Sequence, residues 1–131
     1  MDINGSKILM ADDDRIVRRI VVAKLSGLGY ELTQAEDGQE ALRLLEDGFV
    51  PDLVITDSLM PRMTGLELAR SIRNSPNTDV AKLPIIMLTS RQGEHDVIEG
   101  LQTGLDDYVT KPFSPDELAA RVRTALWRAR R

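Results

Sequence analysis

The chain has no cysteine and a single histidine, and only 4% of its 131 residues are aromatic. Without cysteine there is no disulfide scaffold, no thiolate catalysis and no Cys-rich zinc site. The one histidine, His95, would make a poor zinc site alone, because structural zinc takes several Cys or His ligands. A metal bound by this chain is therefore expected to prefer oxygen ligands.

An excess of positive charge and a long apolar run are also missing. The formal net charge is −4, so no basic excess is available to neutralise the phosphates of a nucleic acid. No apolar run approaches the length of a membrane span, and the N-terminus lacks the apolar stretch of a signal peptide. We expect no direct nucleic-acid partner, no membrane insertion and a cytoplasmic location.

The composition is that of an ordinary globular domain, with 42% hydrophobic and 29% charged residues. A chain of this length forms one domain. It contains no internal repeat, low-complexity segment or linker, so residues 1–131 are treated as a single domain.

Short apolar runs alternate with helical patterns along the chain. The predicted strands cover residues 7–11, 31–35, 53–57, 84–88 and 107–110. Five helices are predicted. The first follows Asp14 and ends at Gly27 and Gly29, and the second begins with Asp37-Gly38-Gln39-Glu40. The third runs from about 64 to 74, the fourth lies near 94 to 103, and the fifth begins with Ser114-Pro115-Asp116-Glu117. Residues 75–79 have turn chemistry and are predicted to be a surface loop. The alternation predicts an α/β fold with an open parallel sheet covered by helices on both faces.

Polar side chains follow the predicted strands at the points where the strands end. Asp12 and Asp13 follow the first strand, Asp57 ends the third, Thr89 follows the fourth, and Lys111 follows the fifth. The carboxyl ends of parallel strands share one edge of the sheet, which is where such folds bind their ligands. We therefore expect these five residues to converge in one cleft.

The residue types in this predicted cleft fit phosphoryl transfer. Carboxylates a few ångströms apart cannot all stay ionised without compensation. A hard divalent cation supplies it, and an all-oxygen ligand set favours Mg²⁺ over zinc. A metal, an ammonium group and a hydroxyl around a carboxylate provide charge neutralisation and hydrogen-bond donors for a phosphoryl group. The Asp57 carboxylate can itself be the nucleophile, which would give an aspartyl phosphate.

With these residues the sequence resembles the receiver domain of two-component response regulators, the chemotaxis regulators among them. The matching motifs are Asp12-Asp13, Asp57-x-x-Met60-Pro61-x-x-x-Gly65, Thr89-Ser90 and Tyr108-x-x-Lys111-Pro112-Phe113. They extend over about residues 7–128. The resemblance implies a flavodoxin-like doubly wound (βα)5 fold with strand order 2-1-3-4-5. It also implies a cis Lys111–Pro112 peptide bond.

The resemblance also implies a function in signalling. Asp57 would accept a phosphoryl group from a phosphohistidine on a sensor histidine kinase or a phosphotransfer protein. Asp13, Asp57 and the backbone carbonyl of Leu59 would hold Mg²⁺, and Asp12 would act through water. The domain would be a phosphoacceptor that assists its own phosphorylation and dephosphorylation, and not an enzyme acting on other substrates.

The remaining motif residues would respond to phosphorylation of Asp57. Lys111 would pair with the phosphoryl group, Thr89 would hydrogen-bond to it, and Tyr108 would change rotamer when Thr89 moves. The surface formed by the fourth predicted helix, the fifth strand and the last helix would then dimerise or meet a target. Trp127 is predicted to lie off the buried stripe of the last helix, near this surface. Cross-interface ion pairs are expected there from Asp106, Asp107, Arg121 and Arg123.

A second family offers an alternative. Asp12-x-Asp14 after an apolar strand is similar to the nucleophile and acid of haloacid-dehalogenase-type phosphohydrolases, with Asp12 as the nucleophile. No glycine follows this motif, and Asp57 would have no role in such an enzyme. Asp14 is instead predicted to cap the first helix. A nucleotide-binding module of the same fold would need a Gly-rich phosphate loop, which the sequence lacks.

Overall fold

The computed structural model describes residues 5–90 and 104–130. The helix predicted near 94 to 103, with His95, lies outside the described residues. In the described part of the chain, no helix is long and apolar enough to cross a membrane.

Five parallel strands form one sheet in the order β2-β1-β3-β4-β5, as the resemblance implied. The strands are β1 Lys7–Ala11, β2 Glu31–Ala35, β3 Leu53–Asp57, β4 Ile85–Ser90 and β5 Asp107–Lys111. The predicted strands are confirmed, and β4 and β5 run one or two residues further than expected. Thr89 is therefore the last residue but one of β4, and Lys111 is the last residue of β5, so both lie within their strands and not after them. The Lys111–Pro112 peptide bond is cis, as predicted.

Helices connect the strands and cover both faces. They are α1 Arg15–Gly27, α2 Gly38–Glu46, α3 Gly65–Arg73, α4 Thr78–Ala81 and α5 Pro115–Ala129. The surface loop predicted at residues 75–79 is wrong in part, because α4 begins within it. The Asn77 side chain accepts hydrogen bonds from the backbone N–H groups of Asp79 and Val80, at 2.9 and 3.4 Å. Asparagine suits turns and helix N-caps alike, so the sequence signal was ambiguous.

Alternate residues of each central strand enter two separate cores. Leu9 and Val54 belong to the core beneath α2 and α3, whereas Ile8, Leu53 and Ile55 belong to the core beneath α1 and α5. A strand buried on both faces needs apolar residues at every position, which is why β1 and β3 are continuous apolar runs. The two cores hold the sheet between the helices. Because all neighbouring strands are parallel, their carboxyl ends lie at the same edge of the sheet.

Three helices begin with Asp, Thr or Ser followed three residues later by Glu, a pattern that predicts a capping box. In the described residues the reciprocal pair of bonds is present at α3, where the Thr64 hydroxyl accepts from Glu67 N–H and the Glu67 carboxylate accepts from Thr64 N–H. At α2 the Asp37 carboxylate caps Glu40 N–H at 2.9 Å, but the Glu40 carboxylate accepts from Glu36 N–H instead. Asp37 is therefore left with an oxygen for another partner.

Candidate functional site

Three aspartates meet at the carboxyl edge of the sheet. Asp12 and Asp13 follow β1, and Asp57 is the last residue of β3. Each offers a carboxylate oxygen, and the three oxygens lie within 4.8 Å of one another. Asp12 and Asp57 are buried, and Asp13 is exposed. An exposed third member makes the cluster accessible from solvent.

Local hydrogen bonds fix the first of these carboxylates. Asp12 Oδ1 accepts from the backbone N–H of Asp14 at 2.8 Å, and the Asp12 carbonyl accepts from Arg18 Nη1 at 2.6 Å. Burial raises the pKa of Asp12, and the neighbouring Asp57 charge raises it further, whereas the Asp14 amide and the Lys111 ammonium oppose the rise. Ionisation of Asp12 is therefore less favourable in the folded protein than in the unfolded chain, and a further cation would offset this.

Lys111, at the end of β5, places an ammonium group among the aspartates. Its Nζ lies 2.9 Å from Asp57 Oδ1 and 3.4 Å from Asp12 Oδ2. Burial lowers the pKa of Lys111, but hydrogen bonds to Asp57 and the charges of both aspartates outweigh it, so the net shift is upward. The side chain is consequently a permanent cation. One ammonium faces three carboxyl groups, and this oxygen-rich, cation-poor cluster fits a divalent ion such as Mg²⁺.

The loop after Asp57 is tied to that residue. The backbone N–H of Ser58 donates to Asp57 Oδ1 at 2.9 Å, and Gly65 N–H donates to the Ser58 carbonyl at 2.9 Å. A Cβ at residue 65 would lie 2.2 Å from the Asp57 carbonyl oxygen, so only glycine fits there. Leu59, between these two anchors, is exposed. The loop therefore begins and ends against the aspartate.

Thr89 and Tyr108 lie on neighbouring strands beside this cluster. Leu88 pairs with Asp57 in the sheet register, so Thr89 is one residue further along β4. The Thr89 side chain is buried, and its hydroxyl donates to the Ser90 carbonyl at 3.1 Å. Tyr108 is partly buried and packs against the core beneath α2 and α3. In this conformation the hydroxyl of Thr89 is directed to backbone and Tyr108 is packed inward.

The sequence did not indicate the role of Arg18. The apolar pattern of α1 predicts an exposed Arg18, yet the residue is partly buried and its Nη1 donates to the Asp12 carbonyl. Its Nε is buried without a protein partner among the described residues. Its position one turn after the helix cap at Asp14 was the available signal, because that turn lies beside the acidic run.

Asp14 was considered both as the cap of the first helix and as the acid of a dehalogenase-type site, and its contacts fit the cap. Asp14 caps α1 as predicted, because its carboxylate accepts from the N–H groups of Ile16 and Val17 at 2.8 and 3.3 Å. The dehalogenase-type interpretation needed Asp14 as an acid beside Asp12, and that oxygen is committed to the helix.

Asp106 and Asp107, which were expected to form ion pairs across an interface, form ion pairs within this chain instead. Arg121 Nη1 lies 2.9 Å from Asp107 Oδ1, and Arg73 Nη2 lies 3.1 Å from Asp106 Oδ2. These arginines already satisfy the aspartates of the same molecule, so an interface would have to exchange these partners.

Fold and site together define a class: a doubly wound parallel α/β domain with an acidic, lysine-containing cleft at the carboxyl edge of its sheet. The sequence profile of the response regulator receiver domain matches residues 8–123. The chain belongs to this family.

Individual relatives agree with that assignment. The phosphate regulon transcriptional regulatory protein PhoB of Pseudomonas aeruginosa is 42% identical over 124 residues, which are 95% of this chain and 53% of PhoB. The receiver domain of the Francisella response regulator 1452 is 36% identical with a TM-score of 0.84, covering 95% of this chain and 98% of that one. The receiver domain of a sensor histidine kinase from Pseudomonas aeruginosa PAO1 is 30% identical with a TM-score of 0.83, covering 93% and 98%, and its structure has a magnesium ion in the active-site cleft. The chain spans about half the length of the curated relatives it matches.

Proposed function

We propose that this domain is a phosphorylation-dependent signalling switch in which Asp57 accepts a phosphoryl group from a sensor histidine kinase or a phosphotransfer protein. The observation that carries the proposal is the pairing of Asp57 with Lys111 inside the acidic cluster. A lone capping aspartate would need neither a partly buried ammonium nor two further carboxylates.

The reaction is a transfer between two side chains. An oxygen of the Asp57 carboxylate attacks the phosphorus atom of the donor phosphohistidine and forms a P–O bond. The P–N bond breaks, and its electron pair returns to the imidazole of the donor. Lys111 pairs with the transferred group, and the Thr89 hydroxyl leaves the Ser90 carbonyl to donate to it. Preorganised positive charge of this kind stabilises the charge that develops on the equatorial oxygens.

The cluster also has the ligands for a metal. Asp13, Asp57 and the Leu59 carbonyl would hold Mg²⁺, with Asp12 acting through water. When bound, the ion would neutralise charge between the carboxylates and the phosphoryl oxygens. The domain thus assists its own phosphorylation and dephosphorylation, and we assign it no reaction on other substrates.

The switch would act through Thr89 and Tyr108. Movement of the Thr89 side chain towards the phosphoryl group vacates space at the end of β4, and Tyr108 on the adjacent strand changes rotamer to fill it. The readout surface is then the one around β5 and α5, where the domain would pair with a second copy or meet a target. The Asp107–Arg121 pair joins β5 to α5 within the chain, and Trp127 of α5 is exposed.

The output of the whole protein is a separate proposal. PhoB is a transcriptional regulatory protein, and this domain covers about half of it. We propose transcriptional control as the output, exerted by a part of the protein other than this domain, because a net charge of −4 gives the domain no basic excess for the phosphates of DNA.

Asp57→Asn tests the acceptor. Wild-type protein incubated with acetyl phosphate and Mg²⁺ should gain one phosphoryl group per chain, and the variant should gain none, because an amide is a poor nucleophile. Intact-mass spectrometry under mildly acidic conditions gives the count. Phosphorylation of the variant at Asp12 or Asp13 would refute the assignment, and turnover of many phosphate esters per chain would favour a hydrolase.

A further inference from the structure

Arg62 has an unusual backbone conformation for its residue type. In the described part of the chain it is the one non-glycine residue with positive φ, at 69°. Met63 N–H donates to the Pro61 carbonyl at 2.8 Å, which closes a γ-turn centred on Arg62. The γ-turn with positive φ is the rare and strained form, and glycine would relieve the strain. An arginine at this position therefore suggests that its side chain offsets the strain.

The side chain reaches another crossover of the fold. Arg62 Nε donates to Asp37 Oδ2 at 3.1 Å, and Nη2 contacts the same oxygen. Asp37 is buried, and its other oxygen caps α2 through Glu40 N–H. Both interactions, that with Arg62 being the larger, lower the pKa of Asp37. The Arg62–Asp37 pair therefore links the loop after β3 to the first turn of α2.

Packing reinforces this link. A Cβ on Gly38 would lie 3.0 Å from the side chain and the carbonyl oxygen of Met63. Glycine at residue 38 thus lets the first turn of α2 rest directly on the loop. The side-chain link and this contact act on adjacent loop residues, 62 and 63.

The loop of residues 58–64 is consequently fastened at three places. Its start is held by Ser58, whose N–H donates to Asp57 Oδ1 and to the Leu88 carbonyl. Its end is held by Gly65, which donates to the Ser58 carbonyl. Arg62 holds the middle. The short span between Ser58 and Arg62 contains Leu59, whose carbonyl is the proposed backbone ligand of the metal.

We propose that Arg62 is a positioning residue for the divalent-cation site: by binding Asp37 it holds the 58–64 loop so that the Leu59 carbonyl is presented beside Asp13 and Asp57. The inference rests on the proposed function of the site. Groups outside the ligand shell orient metal ligands in this way, and their removal weakens metal binding by about 10- to 100-fold.

The direction in which the Kd for Mg²⁺ changes when the Arg62 side chain is removed distinguishes a positioning role from a purely electrostatic one. Removing a positive charge near an acidic cluster should by itself strengthen the attraction for Mg²⁺. Loss of the loop anchor should weaken binding. We expect Arg62→Gly, which removes the side chain and relieves the backbone strain together, to raise the Kd for Mg²⁺ by about tenfold. Isothermal titration of metal-free protein with Mg²⁺ alone measures it.

Asp37→Asn is the partner variant, because asparagine keeps the helix cap and removes the charge that binds Arg62. It should weaken Mg²⁺ binding to a similar degree, and the double variant should be no weaker than either single one, since both break the same link. Arg43→Ala, an exposed arginine in the last turn of α2, is the charge-matched control and should leave the Kd within twofold. Arg62→Lys should recover part of the affinity.

An unchanged or lower Kd in folded Arg62→Gly would overturn the inference, and so would additive effects in the double variant. Either result would leave the proposed function standing if Asp57 is still phosphorylated at saturating Mg²⁺. Failure of the wild-type protein to bind Mg²⁺ or to accept a phosphoryl group would instead refute the proposed function itself.

Discussion

At the scale of single residues, the charges of this domain are arranged in two different ways. Lys111 lies among more carboxyl groups than it can neutralise, which leaves the cluster ready for a further cation. Asp37 is fully satisfied by Arg62 and by a helix N-terminus. The first arrangement favours binding and the second favours rigidity. The uncompensated carboxylates lie at the proposed phosphorylation site, and the compensated pair of Asp37 and Arg62 supports the loop beside it.

The Asp37 pair gives a pH prediction. Because the folded pKa of Asp37 lies below its unfolded value, ionised Asp37 stabilises the fold above about pH 4, and this stabilisation is lost as the pH falls through the lower, folded pKa. Asp37→Asn should lower the melting midpoint by a few degrees at pH 7. The difference from wild type should shrink below pH 4. Melting curves of both proteins from pH 7 to 3 test it, and a difference that stays constant over this range would contradict the assignment.

The side-chain contacts that were predictable followed from position along the strands. Lys111 and Asp12 are 99 residues apart in sequence, yet their meeting was predicted because parallel strands share an edge. Arg62 and Asp37 are 25 residues apart and were not paired, since no periodicity governs how a loop side chain reaches another crossover. Arg18 was missed because amphipathic patterning separates buried from exposed faces but does not identify hydrogen-bond partners.

At the scale of elements, α1 presents apolar side chains to solvent near the site. Ile16 and Ile20 are 68% and 45% exposed, and residues four apart lie on the same helix face. We call this pair the α1 patch. It begins directly after the Asp14 cap, beside the acidic cluster, so a phosphoryl donor that docks over Asp57 would cover it. Exposed apolar side chains beside a reactive group fit a protein partner.

The α1 patch therefore gives a prediction for phosphotransfer. Ile20→Glu should slow transfer from a histidine kinase that phosphorylates the wild-type protein by about tenfold, the loss expected for an interface side chain. The same variant should react with acetyl phosphate at the wild-type rate, because that donor needs no docking surface. Radiolabelled transfer assays and intact-mass measurements give the two rates.

Leu28→Glu is the matched control for that experiment. Leu28 is 46% exposed, nearly the same as Ile20, but caps the opposite end of α1. It should leave transfer from the kinase unchanged. Equal slowing by both substitutions would show that charge on α1 matters and that the α1 patch does not.

The elements themselves were largely predictable from sequence. Continuous apolar runs predicted the central strands, and cap residues predicted where α1, α3 and α5 begin. The start of α4 was missed, because a four-residue helix has too few residues to show a period. Its position is set by Arg73, which donates to the Ala81 and Leu83 carbonyls at 2.9 and 2.7 Å. Such tertiary hydrogen bonds are not encoded in any local pattern.

At the scale of the whole molecule, the acidic cluster gives a prediction about stability and Mg²⁺. A ligand that binds only the native state stabilises it by about 2.7 kcal/mol at a hundredfold excess over Kd. We expect Mg²⁺ to raise the melting midpoint relative to chelator at constant ionic strength. Asp13→Asn should lose most of this gain. Equal melting with Mg²⁺ and with chelator would remove the metal site from the proposal.

The contact between Lys111 and the aspartates joins the last strand to the first. A chain emerging from the ribosome releases β1 and β3 long before β5, and domains acquire their structure as the chain is completed. Until residue 111 is released, Asp57 has no ammonium opposite it. A growing or truncated chain that ends before β5 would expose the acceptor aspartate without its counter-charge. Competence to accept a phosphoryl group would thus arise only once β5 has been released, so chains that stop before β5 would not draw phosphoryl groups away from chains that contain it.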